Sequence, residues 1–287
     1  MRSRFNYIRP RSLKEALGVL DEHGRKAAVL AGGTDLGIAV RKETLAAECV
    51  VDVSRLSEMR SVGMENGLLR IGAAVTFTEL IRDPLVLAYA PVAARGCRHI
   101  GSVQIRNAGT LGGNVANASP AADGVPSLVV HGARALVRSQ NDERVVPVEE
   151  LITGPYRTSL RPGELIVEFL LDAAPEGVRF SFHRVARRKA LSIARINIAA
   201  MACVDADGTV TDIRMSVGSV TPSPTRMKAA ETHLVGKRPT KVLVREAAEM
   251  VSAEMIRHSG VRPSTEYKKP AVEGLVTKAL YELFGDV

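Results

Sequence analysis

Two stretches of nearly bare backbone constrain this chain more than any other feature. In "AVLAGGTDL" (Ala28 to Leu36) an apolar strand runs straight into a glycine pair, a hydroxyl and an acid. In "RNAGTLGGNVANASPAAD" (Arg106 to Asp123), Gly109, Gly112 and Gly113 fall within five residues among Asn107, Asn114 and Asn117, and no carboxylate appears before Asp123. A tight strand-to-helix connection capped by Thr34 or Asp35 accounts for the first stretch taken alone. The second changes the balance, because a turn rarely needs so many small and amide-bearing residues.

A glycine pair after a strand lets backbone approach a bulky anion, and successive N–H groups can converge on phosphate oxygens without a cationic side chain. Neither stretch fits GxGxxG or GxxxxGK[ST]: "GTLGG" lacks the final spacing and no Lys-Ser or Lys-Thr follows. The nicotinamide-type and P-loop readings are weakened accordingly. Two phosphate-cradling loops in separate lobes point to one long ligand held between them, and a dinucleotide of FAD's length meets that demand.

Other properties exclude more than they select. The 287 residues exceed one average domain, and two or three packed units are expected. No apolar run reaches the roughly 18 residues of a membrane span, and the N-terminal residues lack a signal-like apolar core, so a cytoplasmic protein is expected. Cys49, Cys97 and Cys203 lie far apart and the six histidines form no HxxxH or HxxH pair, so no metal site is expected. The net charge of +8 suits an acidic partner, a phosphorylated ligand or nucleic acid. Nucleic acid is disfavoured, because aromatics are 4% of the chain and no helix-turn-helix or zinc-finger spacing is present.

The hydrophobic pattern divides the chain in three. Residues 1–56 read as a small α/β lobe, with Ser12 and Glu15 as a capping box opening a helix that closes at Gly24, a buried strand at "AAVLAGG" and another at "ECVVDVS". Residues 57–176 read as a second lobe: a strand at "GLLRIGAAVT", a capping box of Thr76 and Glu79, a helical "LVLAYAPVAARGC", strands at "ARALVRS" and "ERVVPVEEL", and a closing strand at "ELIVEFLLD". After the linker "AAPEG", residues 177–287 carry three strands of an antiparallel sheet, a hairpin at "DADG" and three amphipathic helices. The class is α+β.

"LAGGTDL" followed by "QIRNAGTLGGNVANASPAAD" resembles the FAD-binding, or medium, subunit of the molybdenum hydroxylases, the family of xanthine, carbon monoxide and nicotinate dehydrogenases. "YRTSLRPGELI", "FHRVARRKALSIA", "GSVTPSPTRMKAAE" and "STEYKKPAVEGLVTKAL" extend the resemblance over nearly the whole chain. It implies a two-lobed FAD-binding domain of the vanillyl-alcohol-oxidase type, followed by a domain like the C-terminal part of the carbon monoxide dehydrogenase medium subunit. Carried over by position, Val29, Leu30, Ala31, Gly32, Gly33, Thr34 and Asp35 would hold the pyrophosphate. Thr110, Leu111, Gly112, Gly113 and Asn114 would form the second loop, with Ser119 and Asp123 on polar parts of the cofactor. Ile166 and Arg184 would lie near the flavin or adenine; a lysine is common in the family where Arg184 stands.

The resemblance also implies a complex. A large molybdopterin-binding subunit would hydroxylate the substrate, a purine or N-heterocycle, and a small subunit with two [2Fe–2S] clusters would pass electrons to FAD and on to NAD+, oxygen or a quinone. A dimer of heterotrimers is implied, with no catalytic acid or base in this chain. Two other classes stand beside it: a freestanding flavin oxidase of the same fold, and a basic, non-enzymatic binding module. The basic run Arg184 to Lys189 reads either as a solvated face or as a contact for flavin phosphate or an acidic partner.

Overall fold

The structure, a computed structural model, describes residues 5–188 and 191–285. The N-terminal part runs β1 (Asn6–Ile8), α1 (Leu13–His23), β2 (Ala27–Leu30), α2 (Leu36–Arg41) and β3 (Cys49–Asp52). Its strands are parallel in the order β1-β3-β2. The Ser12 hydroxyl accepts the Glu15 N–H at the start of α1, and Gly24, at φ 51°, ends the helix in a conformation that only glycine adopts cheaply. Leu13, Ala16, Leu17 and Leu20 form the buried face. β3 is buried throughout, but β2 is not the buried strand its composition suggests: Val29 is 38% exposed. One face of β2 looks into an open cleft.

The second part comprises β4 (Val62–Glu65), β5 (Leu68–Gly72), α3 (Phe77–Leu80), α4 (Pro84–Tyr89), α5 (Pro91–Cys97), α6 (Val103–Ala108), α7 (Leu111–Asn117) and α8 (Gly124–Val130). It continues through β6 (Arg134–Arg138), β7 (Glu143–Pro147), α9 (Val148–Leu151), β8 (Ile152–Gly154), β9 (Arg157–Thr158) and β10 (Leu165–Asp172). Antiparallel pairing gives the order β4-β5-β10-β6-β7, with Leu165–Asp172 at the centre. The capping box of Thr76 and Glu79 forms as its residues predict. "LVLAYAPVAARGC" is two helices rather than one, because Pro91 has no N–H to continue the first. "VEEL" winds as α9 instead of extending the strand, which stops at Pro147. The core is continuous: Leu17, Val51, Leu69, Leu111, Leu128 and Phe169 belong to one buried cluster across both sheets.

The third part is the antiparallel sheet β11 (Arg179–Ala186), β12 (Ala194–Val204) and β13 (Val210–Gly218), followed by α10 (Lys228–Leu234), α11 (Lys241–Ser259) and α12 (Thr265–Phe284). Asp205 accepts from the N–H groups of Asp207 and Thr209, and Gly208 (φ 80°) closes the hairpin. These helices cover one face with a core that includes Ile198, Val217, Val251 and Val276. The other face packs on the second part, where Phe182, Ala199 and Met201 meet Val92 of α5 and Val130 of α8. The third sheet is therefore anchored directly behind the second glycine-rich stretch.

At the end of α8, His131 is fully buried and neither ring nitrogen has a hydrogen-bond partner among the described residues. Burial, reinforced by the Arg214 charge, pushes its pKa down to about 4. An unfolded histidine titrates near 6.5. The unfolded chain therefore binds the extra proton between those values, and stability present above pH 6.5 is lost as pH falls toward 4. The expected loss is up to about 3 kcal/mol. Urea melts at neutral and acid pH should show a shallower acid loss in His131→Leu; equal losses in variant and wild type would remove His131 as the cause.

Candidate functional site

The two glycine stretches meet at their backbones. A Cβ on Gly32 would stand 2.1 Å from the Ala108 carbonyl oxygen and 2.7 Å from the Gly109 Cα. Gly112 lies as closely on Ala73, where a Cβ would fall 2.7 Å from the alanine methyl. These glycines let the segments pack on their neighbours, which is a different role from making room for a ligand. Asn117 adds a side-chain tie by donating from Nδ2 to Asp35 Oδ1 at 3.2 Å. Beside the joint lies a cavity of about 1280 Å³, larger than the roughly 300–1,000 Å³ of ordinary small-molecule pockets.

Backbone donors are engaged differently in the two stretches. After β2 the chain turns through Gly33 (φ 68°) into α2, and Gly37 and Ala39 donate back to the carbonyls of Gly33 and Asp35. The N–H groups of Gly32, Gly33, Thr34 and Asp35 find no acceptor among the described residues. Four free donors in succession, ahead of the first turn of a helix, make an anion nest. In the second stretch the donors are engaged: Leu111 N–H with the Val75 carbonyl (3.1 Å), Gly112 with Ala73 (2.8 Å), Asn114 with Thr110 (3.0 Å) and Gly113 with the Thr110 hydroxyl (3.1 Å). Four donors of the second stretch are thus engaged within the protein, while those of the first have no acceptor among the described residues.

Most residues singled out from the sequence converge on this cavity. Val29, Ala31, Gly32, Gly33, Thr34 and Asp35 line one side; Thr110, Gly112, Gly113 and Asn114 line another, joined by Ser119, Asp123 and Ile166. Three do not reach it. Leu30 lies behind the strand end, and Leu111 is fully buried in the core because its position on α7 faces inward. Arg184 stands behind Asp123, with Nη1 2.7 Å from Oδ2. Of the remaining basic run, Arg187 and Arg188 are exposed, Arg188 binding the Leu191 carbonyl, and Lys189 lies outside the described residues.

Asp123 is the polar centre of the far wall. Its side chain and that of Arg184 are 6% and 7% exposed, and Asn197 Nδ2 donates to Oδ1 at 2.8 Å. Burial raises the carboxyl above the ordinary carboxylate range, while the Asn197 hydrogen bond and the Arg184 charge oppose that rise. β11 and β12 of the third part thus present a guanidinium and an amide to a carboxylate of the second part. Asn197 escaped the sequence reading because nothing in a strand's alternation marks a buried polar side chain as a partner for a residue so far away in the chain. Tyr156, at φ 57°, also lines the cavity and escaped as a site residue within "YRTSL".

The residues present fit FAD. The nest offers uncharged donors for a diphosphate, Ile166 and Leu165 offer buried apolar surface to a ring, and Asn114 Oδ1 is buried without a partner at the cavity wall among the described residues. That orphaned acceptor invites a ligand donor.

Comparison with known proteins agrees with this geometry. Residues 3–171 match the family model described as "FAD binding domain in molybdopterin dehydrogenase", and residues 181–283 match "CO dehydrogenase flavoprotein C-terminal domain". The chain is 29% identical to the nicotinate dehydrogenase FAD-subunit of Eubacterium barkeri, over 97% of this chain and 96% of that one. It is 31% identical to the putative xanthine dehydrogenase FAD-binding subunit of Escherichia coli K12, over 96% and 95%. Among solved structures, carbon monoxide dehydrogenase from Hydrogenophaga pseudoflava superposes with a TM-score of 0.91 at 29% identity, covering 99% of this chain and 98% of that chain.

Gly113 separates ligand space from packing space. A Cβ there meets only the Thr110 hydroxyl, at 3.0 Å, so Gly113→Val should leave a folded chain that no longer retains FAD, with at least a tenfold weaker affinity. Gly32→Val should instead fail to fold, because the obstacle is the Ala108–Gly109 backbone. Circular dichroism and flavin absorbance of the two variants distinguish these outcomes; full flavin content in folded Gly113→Val would place that wall outside the site.

Proposed function

The chain belongs to the FAD-binding family of the molybdopterin dehydrogenases, and from that membership we propose that it is the electron-transfer subunit of a molybdenum hydroxylase complex. The carrying observation is the run of free N–H groups from Gly32 to Asp35 at one side of a long cavity with a partly apolar wall. Gly32 to Asp35 would hold the diphosphate of FAD, which would supply redox chemistry between [2Fe–2S] clusters of a small partner and an acceptor such as NAD+, oxygen or a quinone. Substrate hydroxylation, on a purine or N-heterocycle, belongs to a large molybdopterin-binding partner in a dimer of heterotrimers.

This chain's own residues bind and orient. The nest places partial positive charge on a diphosphate without the flexible side chain a lysine would need. The Asn117–Asp35 bond ties the second stretch to the nest, so the two walls of the cavity keep one spacing. Asp123 is fixed in direction from behind by Arg184 and Asn197, so an acceptor is presented to the cavity at a fixed angle. Low exposure of that pair excludes water from the contact and strengthens it.

Purification of the tagged chain from its own host, followed by metal analysis, tests the assignment. Molybdenum and iron should accompany the flavin in fixed ratio; a flavin-loaded chain that turns over a substrate alone, without either metal, would support a freestanding oxidase instead. A second outcome concerns the buried pair. Arg184→Ala strands the Asp123 carboxylate, so it should destabilise the FAD-free chain by about 3–5 kcal/mol in addition to weakening FAD binding. An unchanged melting temperature would show that the pair carries no structural load.

A further inference from the structure

Lys268 stands in the first turn of α12, and its ammonium donates to the Ser219 carbonyl at 2.6 Å. The side chain is half-buried and has no carboxylate partner among the described residues. A cation at this end of a helix works against the macrodipole, so the stability of α12 does not account for it. Burial, then the charges of Arg262 and Arg195, hold its pKa below the ordinary lysine value. Its two neighbours are placed differently. Tyr267 is 47% exposed with the Arg195 guanidinium 5.8 Å from its ring centroid, and Lys269 is exposed with no partner among the described residues.

Ser219, the residue that Lys268 holds, follows β13 directly at φ 67°, a left-handed conformation that a serine keeps only where its surroundings fix it. Its N–H donates to the Pro120 carbonyl at 2.9 Å, and its hydroxyl reaches the Pro120 and Ala194 carbonyls at 3.4 and 3.3 Å. Pro120 and Ala194 both line the large cavity. One residue earlier, Gly218 pairs with Asn197 across the sheet and packs on its side-chain oxygen so closely that no Cβ fits. Asn197 is the side chain that donates to Asp123. The Gly218–Ser219 corner therefore bears on one cavity wall at Pro120, at Ala194 and, through Asn197, at Asp123.

We propose that Lys268 is a positioning residue of the cavity: by holding the Ser219 carbonyl it fixes the Gly218–Ser219 corner, and with it the wall from Ser119 to Asp123. This role rests on the reading of the cavity as the FAD site. Lys268 lines no part of the cavity itself, so its effect on a bound cofactor passes through Ser219. The long stem reaches from the helix to the corner, and the ammonium makes a charge-assisted hydrogen bond stronger than a neutral donor would make. Arginine at this position keeps the charge and the donors, whereas methionine keeps the stem and loses both. α12, remote in sequence from both glycine stretches, thereby takes part in holding the cofactor without touching it.

The test is a fluorescence titration of the flavin-stripped full chain with FAD, in wild type, Lys268→Met, Lys268→Arg and Lys269→Met, with urea melts of each stripped chain alongside. Lys268→Met should bind FAD about tenfold more weakly, the scale of one lost charge-assisted hydrogen bond. Lys268→Arg should recover most of that affinity, and Lys269→Met should match wild type. The urea midpoint of stripped Lys268→Met should stay near the wild-type value, because neither Lys268 nor Ser219 belongs to a buried apolar cluster. A wild-type chain that does not bind FAD would overturn the FAD reading and this role with it. Where wild type binds FAD, an unchanged affinity in Lys268→Met, an equal loss in Lys269→Met, no recovery in Lys268→Arg, or a stripped Lys268→Met that is unfolded would each overturn the role of Lys268 alone.

Discussion

The backbone contact between Gly32 and the Ala108–Gly109 peptide is the joint on which the site depends. At 2.1 Å from a would-be Cβ to a carbonyl oxygen, no side chain of any kind fits at position 32. The contact brings the end of β2 against the segment that leads into α7, and it sets the spacing of the cavity between them. It also explains how the donors divide. The second stretch must anchor itself to Ala73 and Val75, which uses its N–H groups, while the first stretch is held through packing and keeps its N–H groups free.

A second constraint acts from the opposite side. The third sheet is covered by its own helices on one face and packs on α5 and α8 with the other, so β11 and β12 lie directly behind Asp123. Arg184 and Asn197 come from those strands, and both reach the same carboxylate. Burying this group would be costly alone, and the pair offsets that cost while fixing its direction. The third part of the chain therefore shapes the cavity without lining it with either side chain, and an FAD-binding region lacking it would leave Asp123 without its partners.

Much of the fold was legible because it is local. The Ser12 cap, the Thr76–Glu79 capping box and the Asp205–Gly208 hairpin each follow from a few adjacent residues, and each forms. Pro91 and Pro147 redirected segments that their apolar patterns joined, and both were readable as breaks. The Asn66-Gly67 turn, at φ 51° and 77°, marks the β4–β5 hairpin by a dipeptide signal that the apolar pattern around β5 overshadowed. The site was legible as a set of glycines but not as a mechanism. Which glycines make room for a ligand and which make room for the chain depends on contacts across the fold, and the Arg184–Asp123–Asn197 cluster depends on a sheet register that no local pattern encodes.

The most direct measurement is amide hydrogen exchange of the flavin-stripped chain with and without FAD, read on the peptide covering Gly32 to Asp35. Those N–H groups have no acceptor among the described residues, so they should exchange fast in the stripped chain and become strongly protected when FAD binds. The N–H groups of Leu111 to Asn114, already bonded within the protein, should change far less. Protection confined to the second stretch, with 32–35 still exchanging freely in the FAD-bound chain, would contradict the assignment of the nest as the phosphate site.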